Sequence, residues 1–174
     1  MTRLAHRIDM LDEGVERARQ IVPDLPVAEV TLARLLLMVG GGLQEELERK
    51  LKPHKLGDSD FRTLIALFSH PDGSSTPSEL CQFAAQGPTN MTRITNALVK
   101  RGLITRGHSE ADRRQVVIRI TADGRRFVRK LLPPMFPRAH AYFAGFSEAD
   151  KRHLGRLLRK LAANLDHLDA DAQR

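Results

Sequence analysis

The chain has 174 residues, 41% of them hydrophobic and 28% charged, and a net charge of +7; this excludes a large multidomain enzyme and leaves one domain or two small lobes sharing a core. The single cysteine, Cys81, excludes an intramolecular disulfide or a cysteine-based zinc cage within one chain and fits a reducing cytoplasm. The longest apolar run, Leu35 to Val39, is far short of the roughly 20 residues a bilayer span needs, and Arg3, Arg7, Asp9 and Asp12 interrupt any signal core, so neither a span nor an export signal is expected.

Residues 3 to 20 read as an amphipathic helix stopped by Pro23 and Pro26. Val27 to Leu51 reads as a longer helix, with Leu32, Leu36, Val39, Leu43, Leu47 and Leu51 at nearly helical spacing. Gly40, Gly41 and Gly42 interrupt it, each costing about 1 kcal/mol relative to alanine. Two readings stay open, close approach of another helix or space for a ligand. A phosphate loop is excluded, because no strand precedes the triplet and no Gly-Lys-Ser/Thr follows it. Asp58 or Ser59 can cap a helix to about His70, with Phe61, Leu64, Ile65 and Phe68 on one face. Pro71-Asp72-Gly73 turns the chain. Thr76-Pro77-Ser78-Glu79 then supplies the cap hydroxyl, first-turn proline and third-position glutamate of a strong helix start, with Leu80, Phe83 and Ala84 turned inward. That helix ends at Gln86-Gly87 and another begins at Pro88, the arrangement of a helix-turn-helix. Leu103 to Arg106 and Gln115 to Thr121 read as two strands around a tip at 107–114. Helix returns from Ala122, broken by Pro133, Pro134 and Pro137. Ser147 and Asp150 can cap a last helix in which Leu154, Leu158, Leu161, Leu165 and Leu168 form a seam. Phe127, Phe136, Tyr142, Phe143 and Phe146 need a shared core. Neither flank can bury its stripe alone, so the N-terminal (1–56) and C-terminal (125–174) helices are expected to pack together as the dimerisation region of a homodimer around a DNA-binding part at 57–124.

Charge is unevenly spread. Residues 88–130 hold eleven basic residues against three acids, while the remainder holds 17 against 18. Such local excess attracts polyanions. On the helix from Pro88, Met91, Ile94 and Leu98 recur at core spacing, leaving a polar face of Thr89, Thr92, Arg93, Asn96 and Lys100, joined by Asn90 at its start. A helix of this kind fits the major groove, where Arg pairs with guanine, Asn with adenine, and Thr with phosphate or a thymine methyl. Arg113 and Arg114 at the strand tip would reach the neighbouring minor groove, whose negative potential attracts arginine. Asp112 is expected to accept a charge-assisted hydrogen bond that aims the Arg114 guanidinium.

The string TNMTRITNALVKRGLITR followed by ADRRQVVIRITADGRRF, with Asp-x-Arg at Asp112 and Arg114, resembles the winged helix-turn-helix of the MarR family of bacterial transcription regulators. LARL at 32–35 and FVRKLLPP at 127–134 are similar to the multidrug-efflux repressors of that family. The resemblance spans about Leu32 to Leu168. It implies a mostly α fold with a small β-wing, a dimer of interlocked terminal helices, and a phenolic or other hydrophobic effector bound between those helices and the DNA-binding lobe. The effector is expected near Leu36, Phe61, Ile65 and Phe136.

The seven histidines form no i, i+4 pair and no metal spacing, so no metal is expected. No nucleophile, base and orienting acid can be grouped and no nucleotide fingerprint is present, so neither a reaction nor a cofactor is assigned. The sequence thus predicts a cytoplasmic, ligand-released repressor that binds a pseudo-palindromic operator of double-stranded DNA, with no membrane role. The alternatives are a redox-gated regulator acting through Cys81, which otherwise fills a small core, and an architectural DNA-binding protein without an effector.

Overall fold

The computed structural model describes residues 4–109 and 112–172. Two compact units emerge, residues 1–128 and 129–174. In the first, α1 (Leu4–Ile21) packs on α2 (Val27–Leu51), and a 3-10 turn, Lys52–His54, leads to α3 (Asp58–Ser69). Next come β1 (Ser74–Ser75), α4 (Pro77–Ala84), α5 (Pro88–Lys100), β2 (Ile104–His108), β3 (Val116–Ile120) and α6 (Ala122–Leu131). The second unit takes the end of α6, a 3-10 turn (Pro133–Met135), α7 (Phe136–Tyr142) and α8 (Glu148–Ala172). The fold is mostly helical with a small antiparallel sheet, as expected.

The sheet has the order β1-β3-β2, with Ser74 opposite Arg119 and Ile104 opposite Ile120. Two-residue β1 carries no apolar alternation, which is why pattern reading does not find it. It forms because Asp72 turns the chain: its carboxylate accepts the Ser74 N–H at 2.9 Å and faces His70 Nδ1 at 2.5 Å. The Ser74 hydrogen bonds hold that carboxyl down at about 2.

The core of the first unit is fully buried at Leu64 and Leu67 of α3, Leu80 of α4, Met91, Ile94 and Leu98 of α5, Ile104, Ile118 and Val128. Around it α3 packs on α4 and α5, and β2 and β3 close the side. Gly124 enters α6 against the sheet so closely that a Cβ there would stand 2.1 Å from the Leu103 carbonyl.

Several expectations are corrected. The α3 cap is Gly57, whose N–H donates to Asp60 Oδ2 at 2.9 Å, rather than Asp58 or Ser59. The fully buried face of α3 is Thr63, Leu64 and Leu67, so Phe61, Ile65 and Phe68 are only half-buried. Phe83 is 56% exposed rather than inward, because α4 is a short helix whose buried stripe is only Leu80 and Ala84. The aromatic group does not share a core: Phe136, Tyr142, Phe143 and Phe146 are exposed, although Phe143 and Phe146 meet edge-to-face at 5.7 Å. A Cβ on Gly40 or Gly41 would meet nothing within 4 Å, and one on Gly42 only Leu4 at 3.7 Å. Apolar stripes remain uncovered at Leu32, Leu36, Val39 and Leu43 of α2 and at Leu158, Leu161, Leu165 and Leu168 of α8.

Gly124→Ala is expected to lose about 1–3 kcal/mol by overpacking against backbone, read as a lower urea midpoint. For Asp72, a carboxyl NMR titration should give a midpoint of about 2 instead of the ordinary value of about 3.9. Because the folded value is depressed, the turn's contribution is present above the ordinary value and fades as pH falls through the folded one.

Candidate nucleic-acid interface

The helix-turn-helix is built by local chemistry. The Thr76 hydroxyl accepts from Glu79 N–H at 3.3 Å while Glu79 Oε2 accepts from Thr76 N–H at 2.9 Å, the expected capping box. The Thr76 N–H and Ser75 hydroxyl hold the Glu79 carboxyl below its ordinary range. At the other end Ala85 takes a left-handed conformation (φ 51), which turns the chain within Gln86-Gly87. Pro88, at the first turn of α5, has no N–H to leave unpaired.

With Met91, Ile94, Thr95 and Leu98 buried, the opposite face of α5 must look outward. Thr89, Thr92, Arg93, Asn96 and Lys100 are all exposed there, as the spacing predicts. Asn90 is half-buried and plays a different part. Its Oδ1 accepts from Arg93 Nε at 3.0 Å and Nη2 at 2.9 Å, and its Nδ2 donates to Gln86 Oε1. Gln86 Nε2 in turn donates to the Ala84 carbonyl at 3.3 Å. Donation thus runs in one direction, from the Arg93 guanidinium through Asn90 and Gln86 to the backbone of the turn. Gln86 was missed by sequence reading; the signal was the i, i+4 pairing of Gln86 with Asn90 and the i, i+3 pairing of Asn90 with Arg93.

Gly102, at φ +68, ends α5 in the left-handed conformation glycine adopts without penalty. The wing follows: β2 runs two residues further than expected, to His108, while β3, Val116–Ile120, is one residue shorter than expected at each end. Arg113 and Arg114 are exposed at its tip; Glu110 and Ala111 of the expected tip lie outside the described residues. Asp112 does not aim the Arg114 guanidinium. Its Oδ1 accepts the Arg114 backbone N–H at 2.9 Å, and its carbonyl accepts from Gln115 N–H at 3.0 Å. Two residues of separation suits this turn, in which a short carboxylate reaches the main chain sooner than a long arginine can fold back. Asp112 therefore shapes the wing instead of charging it.

Not every cation of the basic segment faces this side. Arg126 pairs with Asp123, Arg125 lies against Gly73, and Arg101 donates to two carbonyls of the turn after α2. Cys81 is half-buried, in the wall of a cavity of about 280 Å³ between α4, α5 and the sheet, with Pro77, Met91, Thr95, Arg106 and Ile118. A second cavity of about 300 Å³ is lined by His70, Glu79, Leu80 and Phe83. Leu36, Phe61, Ile65 and Phe136 line neither. Among the described residues no group of three or more His, Cys, Asp or Glu side chains could hold a metal.

A helix-turn-helix whose second helix exposes Thr89, Thr92, Arg93 and Asn96, followed by an arginine-tipped hairpin, defines a winged-helix DNA-binding protein. A MarR family model matches residues 54–115. The transcriptional repressor MprA of Escherichia coli (strain K12) is 35% identical over 148 residues, 85% of this chain and 84% of that one. Among solved structures, AbsC, a MarR family transcriptional regulator from Streptomyces coelicolor, superposes with a TM-score of 0.73 at 23% identity, covering 80% of this chain and 95% of that one. A mutant MarR from E. coli complexed with operator DNA gives 0.66 at 22% identity, covering 82% and 96%. The chain belongs to the MarR family of winged-helix transcription regulators.

Asp112→Ala is expected to weaken DNA binding by about 1 kcal/mol by loosening the wing turn, whereas Asp112→Asn, which keeps the accepting oxygen, leaves it near wild type. Equal losses in a fluorescence-anisotropy titration would restore the charge-based role.

Proposed function

We propose that this protein is a cytoplasmic homodimeric repressor that binds a pseudo-palindromic operator and is released by a small hydrophobic or phenolic effector. The observation that carries it is the outward polar face of α5 beside the exposed Arg113 and Arg114 of the wing. In this reading Thr89, Thr92, Lys100 and Arg113 contact phosphate, while Arg93, Asn96 and Arg114 supply most selectivity. Asn90 acts on DNA through Arg93. Likeness to MprA supports control of a multidrug-efflux operon.

The uncovered stripes of α2 and α8 support dimerisation through the segments 1–56 and 125–174. The helical stretch Val27–His54 is also long and apolar enough to cross a bilayer; in a regulator of this family that apolar face is better used against helices of a second copy. Two recognition helices should then read half-sites roughly 34 Å apart. An effector acts by preferring a dimer that no longer matches this spacing, and a hundredfold loss of affinity takes about 2.7 kcal/mol of differential binding. Its site is proposed near Leu36, Phe61, Ile65 and Phe136. A second location is supported by the cavity beneath α5, where a bound phenol would press on Met91 and Thr95. Protection of Cys81 from alkylation by salicylate would favour this cavity, and unchanged alkylation the first site.

The test is a titration of labelled DNA from the gene's own upstream region at several salt concentrations, with and without salicylate. Saturation at two protomers per duplex, affinity falling with salt, and weakening by salicylate are expected. Arg114→Ala should cost about 1–3 kcal/mol with the dimer intact, and unchanged binding would sink the wing assignment. Equal binding to unrelated duplexes would favour the architectural alternative. Release of the wild type by peroxide, abolished in Cys81→Ser, would favour the redox one.

A further inference from the structure

Arg101 stands first after α5, seven residues beyond buried Ile94 and so on the core side of the helix, away from Asn96. Its backbone is fixed there by the helix end: its N–H donates to the Ala97 carbonyl, and the next two N–H groups donate to Val99 at 2.8 Å and Leu98 at 3.1 Å. The side chain crosses to another element. Nη2 donates to the His54 carbonyl and Nη1 to the Lys55 carbonyl, both at 3.1 Å. These are carbonyls at the end of the continuous helical run formed by α2 and its 3-10 turn, where the helix dipole favours a cation. Lys55 is left-handed (φ 52), which turns its carbonyl away from further helical bonding. The guanidinium carbon also lies 5.5 Å from the centre of the Phe127 ring on α6, and the His54 ring meets that same ring edge-on at 6.1 Å. One side chain thus joins the ends of α2 and α5 to α6.

We propose that Arg101 is a positioning residue for DNA recognition: it touches no nucleic acid, and its grip on the end of α2 and on Phe127 sets the tilt of α5. This rests on the DNA-binding reading above. The lever explains why one fastening matters. Thirteen residues of helix extend about 20 Å, so a tilt of about 5° at the fastened end moves the other end by about 1.7 Å. Base contacts tolerate about 0.5 Å. The fastening is at the C-terminal end, and the base-facing residues Thr89 to Asn96 lie toward the other, where displacement is largest. Non-specific binding asks only for cations near phosphates and is insensitive to such a tilt. Lysine cannot reproduce the pair of bonds together with the stacking, since it is a point charge without a planar fork.

The experiment compares wild type, Arg101→Gln, Arg101→Lys and Phe127→Leu for affinity to the upstream operator and to an unrelated duplex across a salt series, each checked for folding by circular dichroism. In Arg101→Gln the operator affinity should fall about tenfold, with the unrelated duplex and the salt slope unchanged. Arg101→Lys should recover part of the loss. Phe127→Leu, which keeps Arg101 and most of the ring's volume, should show the same selective loss more weakly, and serves if Arg101→Gln does not fold. A salt slope reduced by about one, with both duplexes weakened together, would make Arg101 a phosphate contact and overturn the proposal. So would unchanged operator affinity in folded Arg101→Gln. Wild type binding both duplexes equally would instead overturn the functional reading first, and this one with it.

Discussion

The structure depends on burying one side of α5. Met91, Ile94 and Leu98 are almost wholly removed from water, each such side chain being worth about 1.5–3 kcal/mol. Thr95 joins them because its hydroxyl donates to the Met91 carbonyl at 2.9 Å, so a polar atom enters the core with its partner already supplied. Once that side is committed, helical geometry leaves no choice about the other. Thr89, Thr92, Arg93, Asn96 and Lys100 are turned outward by the packing of the residues on the opposite face, so fold stability and the proposed recognition surface come from the same few contacts.

That economy is absent at the flanks. Leu168 is 65% exposed and Leu32 60%, and within each unit no described element covers the stripes to which they belong. Apolar area of this kind, arranged at helical spacing along two helices of 25 residues each, is what a helix offers to other helices. The proposed dimer gives it that use and also explains why α2 carries so little charge along its first turns. The open sides of Gly40 and Gly41 fall on the same helix, so the space missing from one chain is where helices of a second copy can approach without side chains in the way.

How much of this was legible follows from how local each device is. Thr76 with Glu79, Ser147 with Asp150, and Gly102 act within three or four residues of themselves, and sequence names them correctly. The spacing of Met91, Ile94 and Leu98 likewise survives because α5 is long enough for its period to show. Devices that depend on which atom wins a competition are not legible in the same way. Asp112 reaches the Arg114 N–H instead of its guanidinium, Gly57 caps α3 with help from Asp60, and Phe83 turns outward although its spacing permits burial. β1 finds its partner β3 far along the chain, with Ser74 opposite Arg119, and two serines carry no pattern to announce it. The proposed effector residues are the furthest from local chemistry, since Leu36, Phe61, Ile65 and Phe136 come from separated segments and line neither of the two cavities described beside α4.

The charge of the basic segment teaches a related point. Counted along the sequence, residues 88–130 are a single cationic block; in the fold they divide by task. Arg93 is held by Asn90 and presented, Arg113 and Arg114 are carried on a wing shaped by Asp112, and Arg126 is neutralised by Asp123. Arg101 spends its guanidinium on backbone carbonyls and an aromatic ring, interactions that a uniform electrostatic surface would never require. Net charge draws the molecule to a polyanion, but it cannot choose a register on it. In the proposed reading, register comes from how firmly α5 is held, through Gln86 and Asn90 near one end and Arg101 at the other, and two of those three side chains contribute no charge at all.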